Sequence, residues 1–319
     1  MRLGQIDDLD LNLFQFDLDL TFCVFFLNAE GHVYARYGSR DETSPDARQS
    51  LEGLRYTMLS VLATWENSAQ RVAPRRFPEP LVIRAMRGSQ GFGRCVHCHE
   101  ARELIDAQRR QNGQWDERTV YRYPLPDNLG VRMEVDRGNV VESVEPGTPA
   151  ARLGLLPGDR IEEVDGVPIH SLADFQFALD AAPDTGTIPV EWCRGQERRH
   201  GQLELARGWR RADITWRASL YKFVASPRLF GPDLDPEEKA ALGLTPTRLA
   251  FRAMPTLSEQ ARSAGIQEND IILGFDDRDL HMNVREFWRY VRKNYYIGET
   301  VIVNLIRDGQ TMRIPMTLR

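Results

Sequence analysis

Cys95-Val96-His97-Cys98-His99 is the segment of this 319-residue chain whose residue types and spacing propose chemistry most directly. Two thiols one helical turn apart can take the vinyl groups of a porphyrin, and an imidazole beside the second can bind the iron, so C-x-x-C-H is the pattern of c-type haem attachment. On that reading Cys95 and Cys98 hold the haem and His99 is the axial ligand, with the sixth ligand unassigned. The same five residues carry other chemistry. A redox dithiol needs only C-x-x-C and a thiolate lowered by the helix that follows. Half a zinc site would need two further ligands, with His97 or His99 supplying one or two. A pair with no chemistry is the remaining reading. Cys23 and Cys193 fall in strand-like runs and read as small buried hydrophobes.

Other catalytic patterns are missing. No Gly-x-Ser-x-Gly or Gly-Asn-Ser-Gly-Gly nucleophile turn occurs, and Gly88-Ser89-Gln90-Gly91 lies in a loop without that context. There is no His-Glu-x-x-His, no P-loop and no Gly-x-Gly-x-x-Gly. His170 and His281 stand at equivalent places after two hairpins and read as structural surface residues. Forty-one Lys+Arg against 46 Asp+Glu lack the basic excess of a nucleic-acid binder. The longest apolar run, Phe22 to Leu27, is far short of the ~18–20 residues of a membrane helix. Met1 to Asp8 show no basic-then-apolar signal pattern. Four cysteines exclude a disulfide-dense scaffold.

The elements that must position these residues are legible from periodicity. Phe22–Leu27 and His32–Tyr37 read as a hairpin, followed by a helix with apolar residues at Leu51, Leu54, Met58, Leu59, Val61, Leu62 and Trp65. Residues 69–126 are rich in Arg and Pro and carry the cysteine motif. The rest holds a repeat: Gly154-Leu155-Leu156-Pro157-Gly158-Asp159-Arg160-Ile161 recurs as Gly265-Ile266-Gln267-Glu268-Asn269-Asp270-Ile271-Ile272, 111 residues later. A helix (Leu172–Leu179; Val284–Val291) and strands (Ile188–Cys193; Thr300–Ile306) follow in each copy. Two copies are too few for a solenoid, so two similar α+β modules in tandem are expected.

The stretch from Glu145-Pro146-Gly147-Thr148-Pro149-Ala150-Ala151-Arg152 through Gly158-Asp159-Arg160-Ile161 to Asp165-Gly166 resembles the PDZ domains of bacterial envelope proteases. In the second copy Asn269 and Asp277 replace the two turn glycines. PDZ domains bind extended peptides, often C-termini, by strand addition. The resemblance implies a peptide site at Asn128, Leu129, Gly130, Val131 and Arg132 with Phe175 and Leu179, and a second at Leu242, Gly243 and Leu244. Packing of the core is the alternative role for these apolar residues. Trp288 and Tyr290 on the second groove helix could fill that groove.

The hairpin and helix at the start resemble the C-terminal half of a thioredoxin fold, lacking a C-x-x-C before a first helix and the usual proline. The whole chain resembles the thioredoxin-like/PDZ-domain (seleno)proteins of planctomycetes. The landmarks include Leu13-Phe14-Gln15-Phe16-Asp17, Val33-Tyr34-Ala35-Arg36-Tyr37-Gly38-Ser39-Arg40, Cys95-Val96-His97-Cys98-His99, Tyr123-Pro124-Leu125-Pro126, Gly208-Trp209-Arg210 and Asp213-Ile214-Thr215-Trp216-Arg217.

The expected architecture is α+β and multidomain. It comprises a partial thioredoxin-like unit (1–68), a connector with the C-x-x-C-H motif (69–126), a PDZ domain (127–207), a linker (208–235) and a second PDZ domain (236–319). The expected function is a non-catalytic peptide- or protein-binding adaptor with a c-type haem or redox site. The alternative is a thiol–disulfide redox protein using Cys95 and Cys98, with the PDZ domains as substrate clamps. Peptide or protein C-termini are the expected partners, with neither nucleic acid nor a membrane span. The cell envelope or periplasm is the expected location, for a chain that begins downstream of its native start.

Overall fold

A computed structural model of the chain describes residues 6–29, 31–66, 79–86 and 96–319. They form a mixed α/β protein of two compact units, Met1–Ala212 and Asp213–Arg319.

In the first unit β1 (Val24–Leu27) and β2 (Val33–Tyr37) make the expected hairpin, Val24 opposite Tyr37, and α1 (Leu51–Glu66) follows. Among the described residues this sheet has two strands. The apolar residues of α1 are not its buried face: Val61 is buried, whereas Leu51 is 87% and Leu62 57% exposed. Helix α2 (Cys98–Gln111) and the short α3 (Glu117–Val120) precede the first module. Ala101 and Ile105 of α2 pack with Ile6, Leu11, Leu18 and Ile83, so the described part of the expected connector is built into this unit.

The first module starts with a 3-10 turn, Pro126–Leu129, and the antiparallel pair β3 (Val131–Met133) and β4 (Val141–Val144). Thr148 caps α4 (Pro149–Leu153), Pro149 pre-sets its first turn, and Gly154 ends it at φ +87°. Then come β5 (Arg160–Val164), β6 (Val167–Pro168), α5 (Leu172–Ala181), β7 (Gly186–Arg194) and β8 (Glu197–Leu205), with sheet order β6-β5-β7-β8. Ser171 caps α5 by accepting from Ala173 and Asp174 N–H, and the i, i+4 pair Phe175 and Leu179 enters the core between the sheet and β3.

The second unit repeats this plan. It contains α6 (Pro236–Ala241), β9 (Phe251–Arg252), α7 (Glu259–Ala264), β10 (Ile271–Phe275), α8 (Val284–Asn294), β11 (Thr300–Arg307) and β12 (Gln310–Thr317), with sheet order β12-β11-β10-β9. The repeated aspartates do the same work in both copies. Asp159 accepts from Leu156 N–H and pairs with Arg194 at 2.8 Å; Asp270 accepts from Gln267 N–H and pairs with Arg307 at 2.7 Å. Each locks the turn to the sheet.

The expected linker needs correction. Ala225, Leu229 and Leu234 are buried in the second unit, and residues 230–234 run as an extended segment: Leu234 N–H donates to Ala250 O at 2.9 Å, Arg252 N–H to Pro232 O and Met254 N–H to Phe230 O, both at 3.0 Å. The second unit therefore begins about twenty residues before position 236. Pro227 and Pro232 conceal this segment in the sequence, because a proline interrupts the strand pattern.

Candidate functional site

The residues expected at the first peptide site come together. Leu129, Val131, Phe175 and Leu179 are each fully buried in one apolar cluster, with Met133 beside them. β3 pairs with β4, and among the described residues no strand occupies its other edge. Gly130 sits at φ +82°, where a Cβ would stand 2.2 Å from Thr148 Oγ1, so only glycine lets this loop lie on the cap of α4. Asn128 donates from Nδ2 to Arg210 O at 3.1 Å. Arg132 is exposed and pairs with Glu142 at 2.9 Å.

A segment from the N-terminal part of the same unit, here called the strap, packs against α5 and the two ends of β3. On the α5 side, Arg36 N–H donates to Asp174 Oδ1 at 2.8 Å, the Ser171 hydroxyl donates to Arg36 O, and the Arg36 guanidinium lies 3.5 Å from the centroid of the Phe177 ring. Next along the chain, Ser39 donates to Gln176 Oε1 at 2.6 Å. On the β3 side, the buried Arg48 joins Asp41 at 2.6 Å to Asp127, which precedes β3, at 2.5 Å. Ser50 bonds Asp136 at 2.6 Å, Tyr56 bonds Asn139 at 3.0 Å, and Ser60 Oγ lies 2.7 Å from His170 Nδ1. The contacts move from the first turn of α5 to its middle and then to both ends of β3. Residues 36–60 therefore join α5 to the segments that flank β3.

The electrostatics follow from this burial. Burial pushes the Asp174 carboxyl up to about 7, against the Arg36 guanidinium and its hydrogen bonds, which pull it down. Burial also acts on Asp180, but the Arg122 guanidinium, forked on it at 2.6–3.0 Å, holds it below the usual carboxylate range. His170, expected at the surface, is 8% exposed, and burial lowers its pKa. Its role is to tie α1 to the module. His281 is the half-exposed counterpart, bonded to Thr247 Oγ1 at 2.8 Å and to Asp279 at 3.2 Å.

The second site moves. Leu242, Gly243 and Leu244 follow α6, and the two leucines cover a small cluster with Leu234, Ala250, Ile271 and Leu273. They are not beside the groove helix. The segment that pairs with β9 as β3 pairs with β4 is 230–234, so the loop equivalent to Leu129-Gly130 is Leu229-Phe230. Leu229 is fully buried with Phe287 and Val291, and Trp288 Nε1–H donates to Leu229 O at 3.0 Å while its ring meets Phe230 edge-on at 5.2 Å. Trp288 on the groove helix thus packs, half-buried, against the Leu229-Phe230 loop. Leu229-Phe230-Gly231 ahead of an extended run was the available signal.

Of the cysteine motif, Cys95 lies outside the described residues. Cys98 opens α2 behind His97, whose N–H donates to Glu100 at 2.9 Å in a capping box. The Cys98 side chain packs on the cluster of Ile83, Ala101 and Ile105, and burial raises its thiol pKa despite the helix N-terminus. That is opposite to the lowering a redox dithiol requires. His97 and His99 stack with ring centroids 5.9 Å apart, and among the described residues no group of three or more His, Cys, Asp or Glu is placed to hold a metal. Burial lifts the Cys23 thiol to about 12, which suits a small hydrophobe.

Comparison with known proteins gives a PDZ domain over residues 140–194. The chain is similar to the magnetosome formation protease MamE of Magnetospirillum gryphiswaldense, 49% identical over 69 residues, which is 21% of this chain and 9% of that protein. It is also similar to a probable periplasmic serine endoprotease, DegP-like, of Hahella chejuensis, 27% identical over 187 residues, 57% of this chain and 38% of that protein. Among solved structures, the HtrA-type protease AlgW with a decapeptide matches at 19% identity and a TM-score of 0.26, over 33% of each chain. The chain thus spans well under half the length of the curated relatives it matches.

These relatives overturn two expectations about function. They are named as proteases, so neither a non-catalytic adaptor nor a thiol–disulfide redox protein is the reading they support. The thioredoxin-like, haem c and redox assignments find no support in them either, and the raised Cys98 thiol agrees with that.

Proposed function

We propose that the chain takes part in serine-protease proteolysis of the HtrA/DegP kind in the cell envelope, by taking up extended peptide segments along β3 of the first PDZ module. The observation that carries this reading is the PDZ domain at 140–194, with the apolar cleft of Leu129, Val131, Phe175 and Leu179 beside an edge of β3 that no described strand occupies. A peptide strand added there makes main-chain hydrogen bonds to β3 and turns alternate side chains toward the cleft. The 127–130 loop stands where the last residue of such a peptide would end. Because the strap packs against α5 and the two ends of β3, uptake follows its displacement, and the apparent affinity is the intrinsic one reduced by the open fraction. The second module, with Trp288 packed against its Leu229-Phe230 loop, serves as structure.

The test has two parts. A fluorescein-labelled peptide ending in valine with a free carboxylate is titrated with the full chain. Saturable binding that weakens on Val131→Lys is expected, and no saturable binding refutes uptake. The same peptide is then offered to an HtrA-type protease with and without the chain. A changed cleavage rate is expected, and an unchanged one refutes the link to proteolysis.

A further inference from the structure

In the first unit, α2, residues 11–18 and the Arg122-Tyr123 segment line an open cavity of about 210 Å3. Its polar wall carries three guanidinium groups, from Arg102, Arg109 and Arg122. Two carboxylates face them. Arg102 Nε donates to Asp106 Oδ2 at 2.7 Å and its Nη2 to Thr119 O at 2.6 Å, while Arg122 forks on Asp180. Arg109 pairs with Asp106 Oδ1 at 3.9 Å, on a carboxylate that Arg102 already holds. Arg109 thus shares its carboxylate with Arg102 at a longer distance than Arg102 has. Burial disfavours the charge on Arg109, and the neighbouring Arg122 and Arg102 add to it; burial also raises Asp106, which weakens the counter-charge. The remaining wall is apolar, from Phe14, Phe16, Leu18 and Ile105.

A guanidinium held beside other cations in a partly dry cavity gains from a carboxylate that it can bind through two parallel hydrogen bonds. The apolar wall gains from a hydrocarbon chain attached to that carboxylate. The volume lies below the ~300–1,000 Å3 of sites for drug-sized ligands, which limits the ligand to a small one. Arg109 is 30% exposed, so the anion can reach it from solvent. We propose that this cavity is a binding site for a small carboxylate bearing a short apolar chain, its carboxylate on Arg109 and its chain against Phe14, Leu18 and Ile105.

Two sources share that chemistry, a free aliphatic acid and the last residue of a peptide. Isothermal titration of the full chain with hexanoate, N-acetyl-leucine, hexanamide and inorganic phosphate separates them. Hexanoate or N-acetyl-leucine binding at least tenfold tighter than hexanamide is expected, and whichever of the two binds tighter names the source. Arg109→Gln is expected to weaken that binding at least tenfold and Arg109→Lys to retain part of it, with the thermal midpoint of both variants close to that of the parent. Equal binding of acid and amide, binding unaffected by Arg109→Gln, or phosphate binding as tightly as hexanoate would each overturn the proposal.

Discussion

Asp174 should make the stability of the first unit depend on pH. Its side chain is 1% exposed and accepts hydrogen bonds from Arg36 N–H at 2.8 Å and His170 N–H at 3.2 Å, with Ser171 Oγ 3.3 Å from Oδ2. Burial raises it from 3.8 to about 7 in the folded chain. Between those two values the folded state binds a proton that the unfolded state has released, so stability falls as pH rises. The slope is about 1.4 kcal/mol per pH unit, and over the whole interval the loss is about 4 kcal/mol, complete by pH 7 and absent below pH 4. Asp174→Asn removes the titration while its amide oxygen still accepts from Arg36. Asp180 and Asp41, whose pKa values are lowered, act in the opposite sense, but both are present in parent and variant and cancel in the difference. The assay is urea unfolding at pH 4 to 8, followed by hydrogen exchange of the α5 amides so that the second unit does not contribute. Relative to the parent, Asp174→Asn should gain stability by up to about 4 kcal/mol between pH 4 and 7. A difference that stays constant with pH would refute the reasoning, because it would mean that the carboxyl is already charged at pH 4 in the folded state.

Four further outcomes are expected. Ser39→Ala deletes the 2.6 Å hydrogen bond to Gln176 and leaves a buried amide oxygen without that donor, at about 1–3 kcal/mol, so peptide affinity in fluorescence anisotropy should rise at least about fivefold; an unchanged affinity counts against the strap as a cover. Gly130→Ala forces a Cβ against Thr148 at φ +82° and should cost about 2–3 kcal/mol, read from the urea midpoint. Trp288→Ala opens a void and frees the Leu229 carbonyl, at about 3 kcal/mol by the same measurement. Alkylation resolved by mass spectrometry should find Cys98 slower at pH 7 than a free cysteine, because burial raises its thiol; a faster reaction would restore a reactive thiolate.

The modules were legible in the sequence because their signals are local. Thr148 with Gly154 and Ser258 with Gly265 each bound a short helix with a cap and a stop, and Asp159 and Asp270 repeat with the turns they lock. The second peptide loop was not legible. Leu242-Gly243-Leu244 imitates the leucine and glycine of the first loop, whereas the true counterpart, Leu229-Phe230, is hidden between Pro227 and Pro232 and is revealed only by its pairing with residues 250–254. The burial of α1 was misjudged for another reason. Apolar residues at helical spacing state that a face exists, but Tyr56 and Ser60, on the opposite side of the helix from Leu51 and Leu62, carry the bonds to Asn139 and His170. The strap was invisible because each of its bonds joins residues more than 75 positions apart, through side chains with no periodic signature.

On the proposed reading the two modules differ in what stands beside the peptide position, and the difference bears on which can open. In the second, the residue bonded to the Leu229 carbonyl is Trp288 on the groove helix itself. Its ring belongs to the module's own packing, so removing it means breaking the fold. In the first, the cover is a separate length of chain. It is held by about half a dozen polar contacts, several of them to charged groups, each worth roughly 0.5–3 kcal/mol in net terms. Such contacts can be exchanged for a peptide's own hydrogen bonds along β3, while the apolar cluster beneath keeps its sheet and helix partners. A cover that can be replaced bond for bond is a competitor of the ligand. A half-buried tryptophan packed on the core of its own module has no such exchange open to it.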